Sequence, residues 1–176
     1  GIAEAFLKEQ AHVILTGRQA SKLDKIKKKF VAQFGQAQIS SFVGDLQQES
    51  VLLELANFID DRWGKLDHLV CNIGSGRSVP LLQEDRNEMQ RMLDLNLLGS
   101  VSAVRLMTPL LERAGSNGGV PSIIFIGSIC GVEAIGCPVA YATAKSALMS
   151  YTQNIARPLA RKNIRVNIIS PGNIIF

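Results

Sequence analysis

Apolar residues along this chain form short continuous runs that alternate with longer stretches of helical spacing. The short runs are apolar on both faces, which predicts buried strands, and they are residues 11–17, 37–43, 66–72, 121–127 and 164–170. The helical stretches are residues 20–34, 47–62, about 84–113 and about 139–161. Strands and helices that alternate in this way predict an α/β fold with a doubly wound parallel sheet.

The first residues, "GIAEAF", already have the spacing of an amphipathic helix, with Ile2, Ala5 and Phe6 on one face. No Ser, Thr, Asp or Asn precedes them to start that helix. We therefore expect the natural chain to extend before Gly1. The chain has 176 residues, 47% of them hydrophobic, and residues 1–176 are predicted to form a single globular domain.

The net charge is +4, and many basic side chains lie in one predicted helix, "SKLDKIKKKF" at residues 21–30. A basic helix can bind nucleic acid, but Leu23, Ile26 and Phe30 are spaced to turn inward and leave the lysines on a solvated face. We expect no nucleic-acid partner. Residues 120–144 contain only one charge, Glu133, but Pro and Gly interrupt them, so they predict a buried strand and a loop and no membrane span.

The three cysteines are Cys71, Cys130 and Cys137, and their spacing matches no zinc-binding pattern. The two histidines, His12 and His68, are far apart in the sequence. We expect reduced thiols in a cytoplasmic protein and no metal site.

Ligands of doubly wound sheets bind beyond the carboxyl ends of the strands, so polar groups there are candidates for binding. Arg18 follows the first strand, where an arginine can pair with the 2′-phosphate of a dinucleotide or be an ordinary surface residue. Asp45 follows the second strand and could cap the next helix or hydrogen-bond an adenine amino group. After the third strand, "CNIGSG" at residues 71–76 is either a wall of small residues along a dinucleotide or a plain surface turn.

Four further residues are candidates for proton chemistry. Asn96 interrupts a predicted helix, as a tolerated solvent-facing residue or as a kink that frees backbone groups for water. Ser128 follows the strand at 121–127 and could hold a substrate oxygen. Tyr141 and Lys145 are four apart, which places them one turn apart on one helix face. An ammonium beside the phenol stabilises the phenolate, which would make Tyr141 an acid or base near neutral pH.

The ordered motifs "GR", "GDL", "NIG", "LNLLG", "GS", "YATAK" and "VNIISPG" resemble those of the short-chain dehydrogenase/reductase family, most closely its 3-oxoacyl-[acyl-carrier-protein] reductases. The resemblance covers the whole chain, and Ser128 and Tyr141 have the spacing of that family. It implies a Rossmann-type domain and an oxidoreductase that interconverts a carbonyl and a secondary alcohol, with NADP(H) favoured over NAD(H). It also implies a homodimer or homotetramer, for which the small alanines on the helix at 139–161 are suited.

The resemblance assigns roles by position. Tyr141 would protonate the carbonyl, and Lys145 would assist it and hold the nicotinamide ribose. Ser128 would bind the carbonyl oxygen, and Asn96 would hold a water that relays protons to Lys145. The other cofactor-binding residues that it implies are Arg18, Asp45, Leu46, Asn72, Ile73, Gly74, Pro171, Gly172 and Ile174.

The chain departs from the family pattern at several positions. Ile73 stands where Ala is usual and would narrow the cofactor wall, Phe176 stands where Thr is common, and Gln10 stands where Gly is usual. The family's first strand with its Gly-rich turn, and its C-terminal segment over the substrate, have no counterpart in these residues, so we expect a fold that is incomplete at both ends. Two alternatives follow: a non-catalytic NADP-binding or sensing member of the family, or an inactive fragment.

Overall fold

The structure is a computed structural model that describes residues 1–173, except for the side chain of residue 37. The chain divides into two compact units, Gly1–Leu46 and Gln47–Phe176. Each unit is an α/β arrangement with its own parallel sheet. That the two units together make one dinucleotide-binding domain stays a prediction.

The first unit consists of two helices and two strands. Its elements are α1 (Ile2–Lys8), β1 (Val13–Gly17), α2 (Ala20–Phe34), a 3-10 turn (Gln36–Gln38) and β2 (Ile39–Val43). The two strands are parallel, with Val13 opposite Ile39 and Gly17 opposite Val43. Leu7, Phe30 and Ile39 are buried together, so both helices contribute to the apolar core that covers this sheet.

The basic helix α2 turns an apolar stripe inward, as its spacing predicts, but the stripe is narrower than expected. Leu23 and Phe30 are buried, whereas Ile26 is 46% exposed, so the prediction that Ile26 turns inward is wrong. Gln10, which stands where the family has Gly, has a backbone φ of 62°. This left-handed conformation costs little for glycine and more for any residue with a Cβ, which gives a physical reason for the usual glycine.

The second unit carries the residues of the predicted proton chemistry. Its elements are α3 (Glu49–Trp63), β3 (His68–Cys71), α4 (Arg86–Leu93), a π-helical turn (Asp94–Leu98), α5 (Gly99–Ser116), β4 (Ser122–Ile126), a 3-10 turn (Ile129–Gly131), α6 (Val139–Ala160) and β5 (Arg165–Ile169). The three strands are parallel in the order β3-β4-β5, with Cys71 opposite Phe125 and Phe125 opposite Ile168.

The central strand β4 and the helix α6 are held by one apolar core. Ile123 and Phe125 of β4 pack in one buried cluster with Leu148 of α6, and Leu111 of α5 and Ile164 are buried there too. The Phe125 ring also meets the Tyr151 ring edge-on, with centroids 6.0 Å apart. Side chains placed at the end of β4 and on the first turns of α6 therefore rest on a rigid frame.

The predicted order of strands and helices is confirmed, and the described strands form two parallel sheets, of two and three strands. Residues 120–138 form a strand and a loop, and α6 begins at Val139. In residues 1–173, no helix is both long and apolar enough to cross a membrane. Ala140 and Ala144 are buried against Met92, so these two small residues serve packing inside the unit.

Candidate functional site

Tyr141 and Lys145 lie on successive turns of α6, as their spacing predicts. The Lys145 Nζ atom is 5.9 Å from the centroid of the Tyr141 ring. The ring itself packs against the buried side chains of Met92, Ala140 and Ala144, which limits its movement. This face of α6 therefore presents a phenol and an ammonium side by side.

The ammonium of Lys145 is buried without a counter-charge. Lys145 is 5% exposed, and its Nζ donates to the carbonyl oxygen of Ile126 at 2.8 Å. No carboxylate of residues 1–173 lies within ion-pair distance of Nζ. Burial lowers the pKa of Lys145 from its ordinary value. An unpaired buried cation is costly to the fold, and such groups concentrate at functional sites.

Ser128 comes just after β4, where the chain turns toward α6. Its Oγ accepts a hydrogen bond from the Cys130 amide at 3.2 Å, so it caps the 3-10 turn. The amide of Ile129, the residue that follows Ser128, donates to the carbonyl oxygen of Pro171 at 2.9 Å. Because of this bond, the Pro171-Gly172 turn after β5 lies beside Ser128. Ile174, which was predicted to contact the nicotinamide with them, lies outside the described residues.

Asn96 is fully buried in the π-helical turn that joins α4 to α5. The helix is interrupted at Asn96 by this π-helical turn, and the interpretation of Asn96 as a solvent-facing residue is wrong. That the turn frees backbone groups for water stays a prediction. Its Oδ1 accepts from Ser75 N at 3.1 Å, and its Nδ2 donates to Ser75 O and to Met92 O, both at 3.2 Å. The side chain therefore fixes the loop after β3, and its proposed water relay toward Lys145 stays a prediction.

The loop after β3 approaches these groups through two glycines. A Cβ built on Gly74 would be 2.6 Å from Asn96 Oδ1 and 3.3 Å from Lys145 Nζ. A Cβ on Gly76 would be in ordinary contact with the Tyr141 ring at 3.7 Å. The next helix begins only at Arg86, so this loop offers no helix N-terminus to a phosphate. Its role as a wall along a dinucleotide stays a prediction beside that of a plain surface turn.

The second unit offers features that fit the sugar of a nicotinamide nucleotide. Gly74 lets the backbone of this loop come close to Asn96 Oδ1 and Lys145 Nζ, which a side chain at this position would prevent. Asn72, Ile73 and Gly74 are exposed, so the backbone of this loop is open to a ligand. An ammonium has three N–H donors, of which the Ile126 carbonyl takes one, and the others suit ribose hydroxyls.

In the first unit, Arg18 and Asp45 follow the two parallel strands and meet at their carboxyl ends. Arg18 Nη1 lies 4.0 Å from Asp45 Oδ2, and the Arg18 side chain is 69% exposed. Helix α3 begins at Glu49 with Gln48 at its N-cap, so the expectation that Asp45 caps it is wrong. Leu46 is buried at this strand end. An exposed guanidinium held loosely by one carboxylate is free to take a phosphate.

Comparison with known proteins agrees with this geometry. A family model described as short chain dehydrogenase matches residues 1–175. The chain belongs to the short-chain dehydrogenase family. Similar relatives include a 7alpha-hydroxysteroid dehydrogenase from Clostridium sardiniense, which is 34% identical over 98% of this chain and 64% of its own. Another is a rhamnolipids biosynthesis 3-oxoacyl-[acyl-carrier-protein] reductase from Pseudomonas aeruginosa, which is 29% identical over 97% of this chain and 66% of its own.

Among solved structures, this dehydrogenase chain is similar to the L-sorbose reductase from Gluconobacter frateurii complexed with NADPH and L-sorbose. The TM-score is 0.91 at 28% identity, over 99% of this chain and 64% of that one. The chain thus spans slightly less than two thirds of the length of several relatives that it matches. The predicted family and the Rossmann-type α/β fold are confirmed.

One expectation about the cysteines is overturned in this short-chain dehydrogenase. Cys130 and Cys137 are joined by a disulfide, with their Cα atoms 6.0 Å apart, so the prediction of reduced thiols is wrong for this pair. A separation of 7 residues in the sequence does not fix the distance between the two sulfur atoms, because that distance depends on the conformation of the loop. Cys71 is a free thiol, and burial raises its pKa to about 12. The cytoplasmic location stays a prediction.

A charged network that the sequence pattern does not predict holds the loop next to Tyr141. Glu88 on α4 accepts hydrogen bonds from Ser78 Oγ at 2.6 Å and from Arg91 Nε at 2.7 Å. Arg91 Nη2 also donates to the Arg77 carbonyl oxygen at 2.9 Å. These bonds, from Arg91 first and then Ser78, lower the pKa of Glu88 to about 2. The spacing of Glu88 and Arg91 on a helix could have predicted their ion pair. No pattern in the sequence predicts that Arg77 and Ser78 of the loop bond to them.

Proposed function

We propose that this short-chain dehydrogenase interconverts a carbonyl and a secondary alcohol with NADP(H), with Asn96, Ser128, Tyr141 and Lys145 as its catalytic set. The buried, unpaired ammonium of Lys145 beside the Tyr141 ring carries the proposal. A purely structural lysine would be exposed or paired, because burying an ammonium alone is unfavourable. The similar proteins include a 3-oxoacyl-[acyl-carrier-protein] reductase, a 7alpha-hydroxysteroid dehydrogenase and an L-sorbose reductase, which supports the proposal.

The residues of this chain divide the work as follows. Tyr141 gives its phenolic proton to the carbonyl oxygen as an alkoxide forms there. Lys145 places its positive charge beside the phenolate that remains. The Ser128 hydroxyl donates a hydrogen bond to the same carbonyl oxygen and so holds it next to Tyr141. When bound, the reduced nicotinamide supplies the hydride.

Cofactor recognition is proposed from the resemblance to the family and uses residues that follow the strands. Lys145 would hold the nicotinamide ribose, Arg18 would pair with the 2′-phosphate, and that pairing is the basis for preferring NADP(H) over NAD(H). The remaining contacts are assigned by resemblance to Asp45, Leu46, Asn72, Ile73, Gly74, Tyr141, Pro171, Gly172 and Ile174. The substrate is a small carbonyl or alcohol compound. A homodimer or homotetramer in the cytoplasm is part of the same proposal.

The test compares the two tyrosines of α6 in the full chain. NADPH consumption is followed with a ketosteroid, a 3-oxoacyl thioester, a ketose and a small diketone. Loss of a general acid slows reaction about 10²- to 10⁴-fold, so Tyr141→Phe should lower kcat/KM by that factor. Tyr151→Phe, which removes a hydroxyl from the same helix, is the matched control and should keep its activity.

Two outcomes would contradict the proposal. Tyr141→Phe with unchanged kcat/KM would remove Tyr141 from the mechanism. NADPH binding without turnover of any carbonyl class would favour the alternative of a binding or sensing member of the family.

A further inference from the structure

The segment between Ser128 and α6 is closed on itself by a disulfide. Cys130 lies in the 3-10 turn after Ser128, and Cys137 lies just before Pro138, the N-cap residue of α6. The disulfide joins them with a Cα separation of 6.0 Å. Both cysteines are half-buried, whereas residues 132–136 between them are exposed. The bond therefore encloses a small surface loop that lies, in sequence, between two proposed catalytic residues.

The first end of this loop is held in place without the disulfide. Ser128 Oγ accepts from the Cys130 amide at 3.2 Å, and Ser146 Oγ donates to the Gly131 carbonyl oxygen at 2.8 Å. Gly131 also lies directly on α6, because a Cβ there would be 2.8 Å from the Lys145 carbonyl carbon. Breaking the disulfide would thus leave the turn anchored to Ser128 and to the helix.

The second end of the loop is also anchored. The Ala142 amide donates to the Pro138 carbonyl oxygen at 3.0 Å, which starts α6 independently of Cys137. Inside the loop, the amides of Val132 and Glu133 both donate to the Ile129 carbonyl oxygen, at 2.9 and 2.8 Å, so the freedom that the disulfide removes falls on residues 134–136. The loop also includes Gly136 at φ 84° and two exposed apolar side chains, Val132 (57%) and Ile135 (50%).

We propose that Cys130 and Cys137 form a reversible thiol–disulfide site that controls the order of residues 134–136, and that the loop to which they belong contacts the substrate. The contact with substrate rests on the proposed function. Oxidation uses a low-molecular-weight disulfide as the oxidant: one cysteine thiolate attacks it, forms a mixed disulfide and releases one small thiolate. The second cysteine thiolate then displaces the other small thiolate, so two protons and two electrons leave the protein. Excess small thiol reverses both exchanges.

The third cysteine does not take part in this exchange. Cys71 is buried at the end of β3, and burial raises its pKa to about 12. Because the thiolate is the reactive form, a buried protonated thiol neither attacks a small disulfide nor reshuffles the pair. The exchange is therefore confined to Cys130 and Cys137.

The first experiment needs no substrate. The full chain, oxidised or reduced in a glutathione buffer, is digested briefly with a Glu-specific protease, and cleavage after Glu133 inside the loop is timed by mass spectrometry. Ordering by the ring slows local opening, so reduction should speed this cut by about fivefold or more relative to cuts elsewhere. The double variant Cys130→Ser/Cys137→Ser should be cut at the fast rate in both buffers.

The second experiment measures turnover of the substrate that the chain accepts. A disordered loop must be ordered on binding, at a cost per immobilised side chain that corresponds to about a 2- to 10-fold rise in KM. Reduction should raise KM by that factor with a smaller change in kcat, and the double variant should show no response to the buffer.

Equal cleavage at Glu133 in both buffers, or a response that persists in the double variant, would overturn the proposal. Faster cleavage with an unchanged KM would overturn the contact with substrate. If no carbonyl is turned over, the proposed function fails, while the protease still decides whether the site exists.

Discussion

The substitution Gly74→Ala tests how tightly the loop after β3 fits against the buried polar groups. The added Cβ would be 2.6 Å from Asn96 Oδ1 and 3.3 Å from Lys145 Nζ. The first distance is shorter than van der Waals contact between a methyl carbon and an oxygen allows, so one of the two groups must move. The Asn96 side chain is fully buried, so it cannot turn to solvent. It must move away from the loop and lose its bond from Ser75 N, now 3.1 Å long.

The magnitude follows from the group that is left without a partner. A buried donor or acceptor that loses its hydrogen bond costs about 1–3 kcal/mol. Gly76→Ala is the matched control, because its Cβ would meet the Tyr141 ring at an ordinary 3.7 Å. Neither glycine has a positive φ, and both variants share the gain of about 0.4–1 kcal/mol from a stiffer unfolded chain. The difference between them is therefore the cost of the Asn96 clash.

The assay is urea unfolding followed by tryptophan fluorescence. Trp63 is the single tryptophan of the chain and ends α3 in the same unit as Gly74. Gly74→Ala should be about 1–3 kcal/mol less stable than Gly76→Ala, or about 2–12 °C lower in Tm for a chain of this size. Equal stability of the two variants would show that Asn96 moves without cost, and the described hydrogen bonds would then not hold the loop.

Two further predictions concern charge. The depressed pKa of Glu88, about 2 because of Arg91 and its other hydrogen-bond donor, contributes stability that is present above the unfolded value near 4.5 and lost as the pH falls through 2. Glu88→Gln should therefore lower the urea midpoint at neutral pH, by an amount that shrinks toward pH 2. The exposed control Glu54→Gln should show no such trend. A difference between wild type and Glu88→Gln that does not change with pH would contradict the link between this pKa and stability. Arg18→Ser should weaken NADPH binding about 10- to 100-fold, as expected for the loss of one charged hydrogen bond, with little effect on NADH binding. The control Arg161→Ser should change neither affinity. An equal loss of affinity for both cofactors would show that Arg18 does not recognise the 2′-phosphate.

Strand pairing and the disulfide are features that local pattern does not predict. Apolar runs predicted every described strand to within about two residues, because burial on both faces leaves a continuous signal. Which strands pair depends on which edges meet in space, and the described strands pair as β1-β2 and as β3-β4-β5. The cysteine pair is similar: spacing in sequence carries no distance between sulfur atoms.

For this protein, the sequence alone determined the α/β class, the helix that carries Tyr141 and Lys145, and the kink at Asn96. Each of these depends on residues close together in the chain, where helical spacing and propensity act directly. The tertiary structure decided what surrounds them. The unpaired burial of the Lys145 ammonium, the two-way bonding of Asn96 to Ser75, and the closeness that Gly74 allows all join segments far apart in sequence. Desolvation and steric fit depend on how distant segments pack together, so the pattern of a single segment does not predict them.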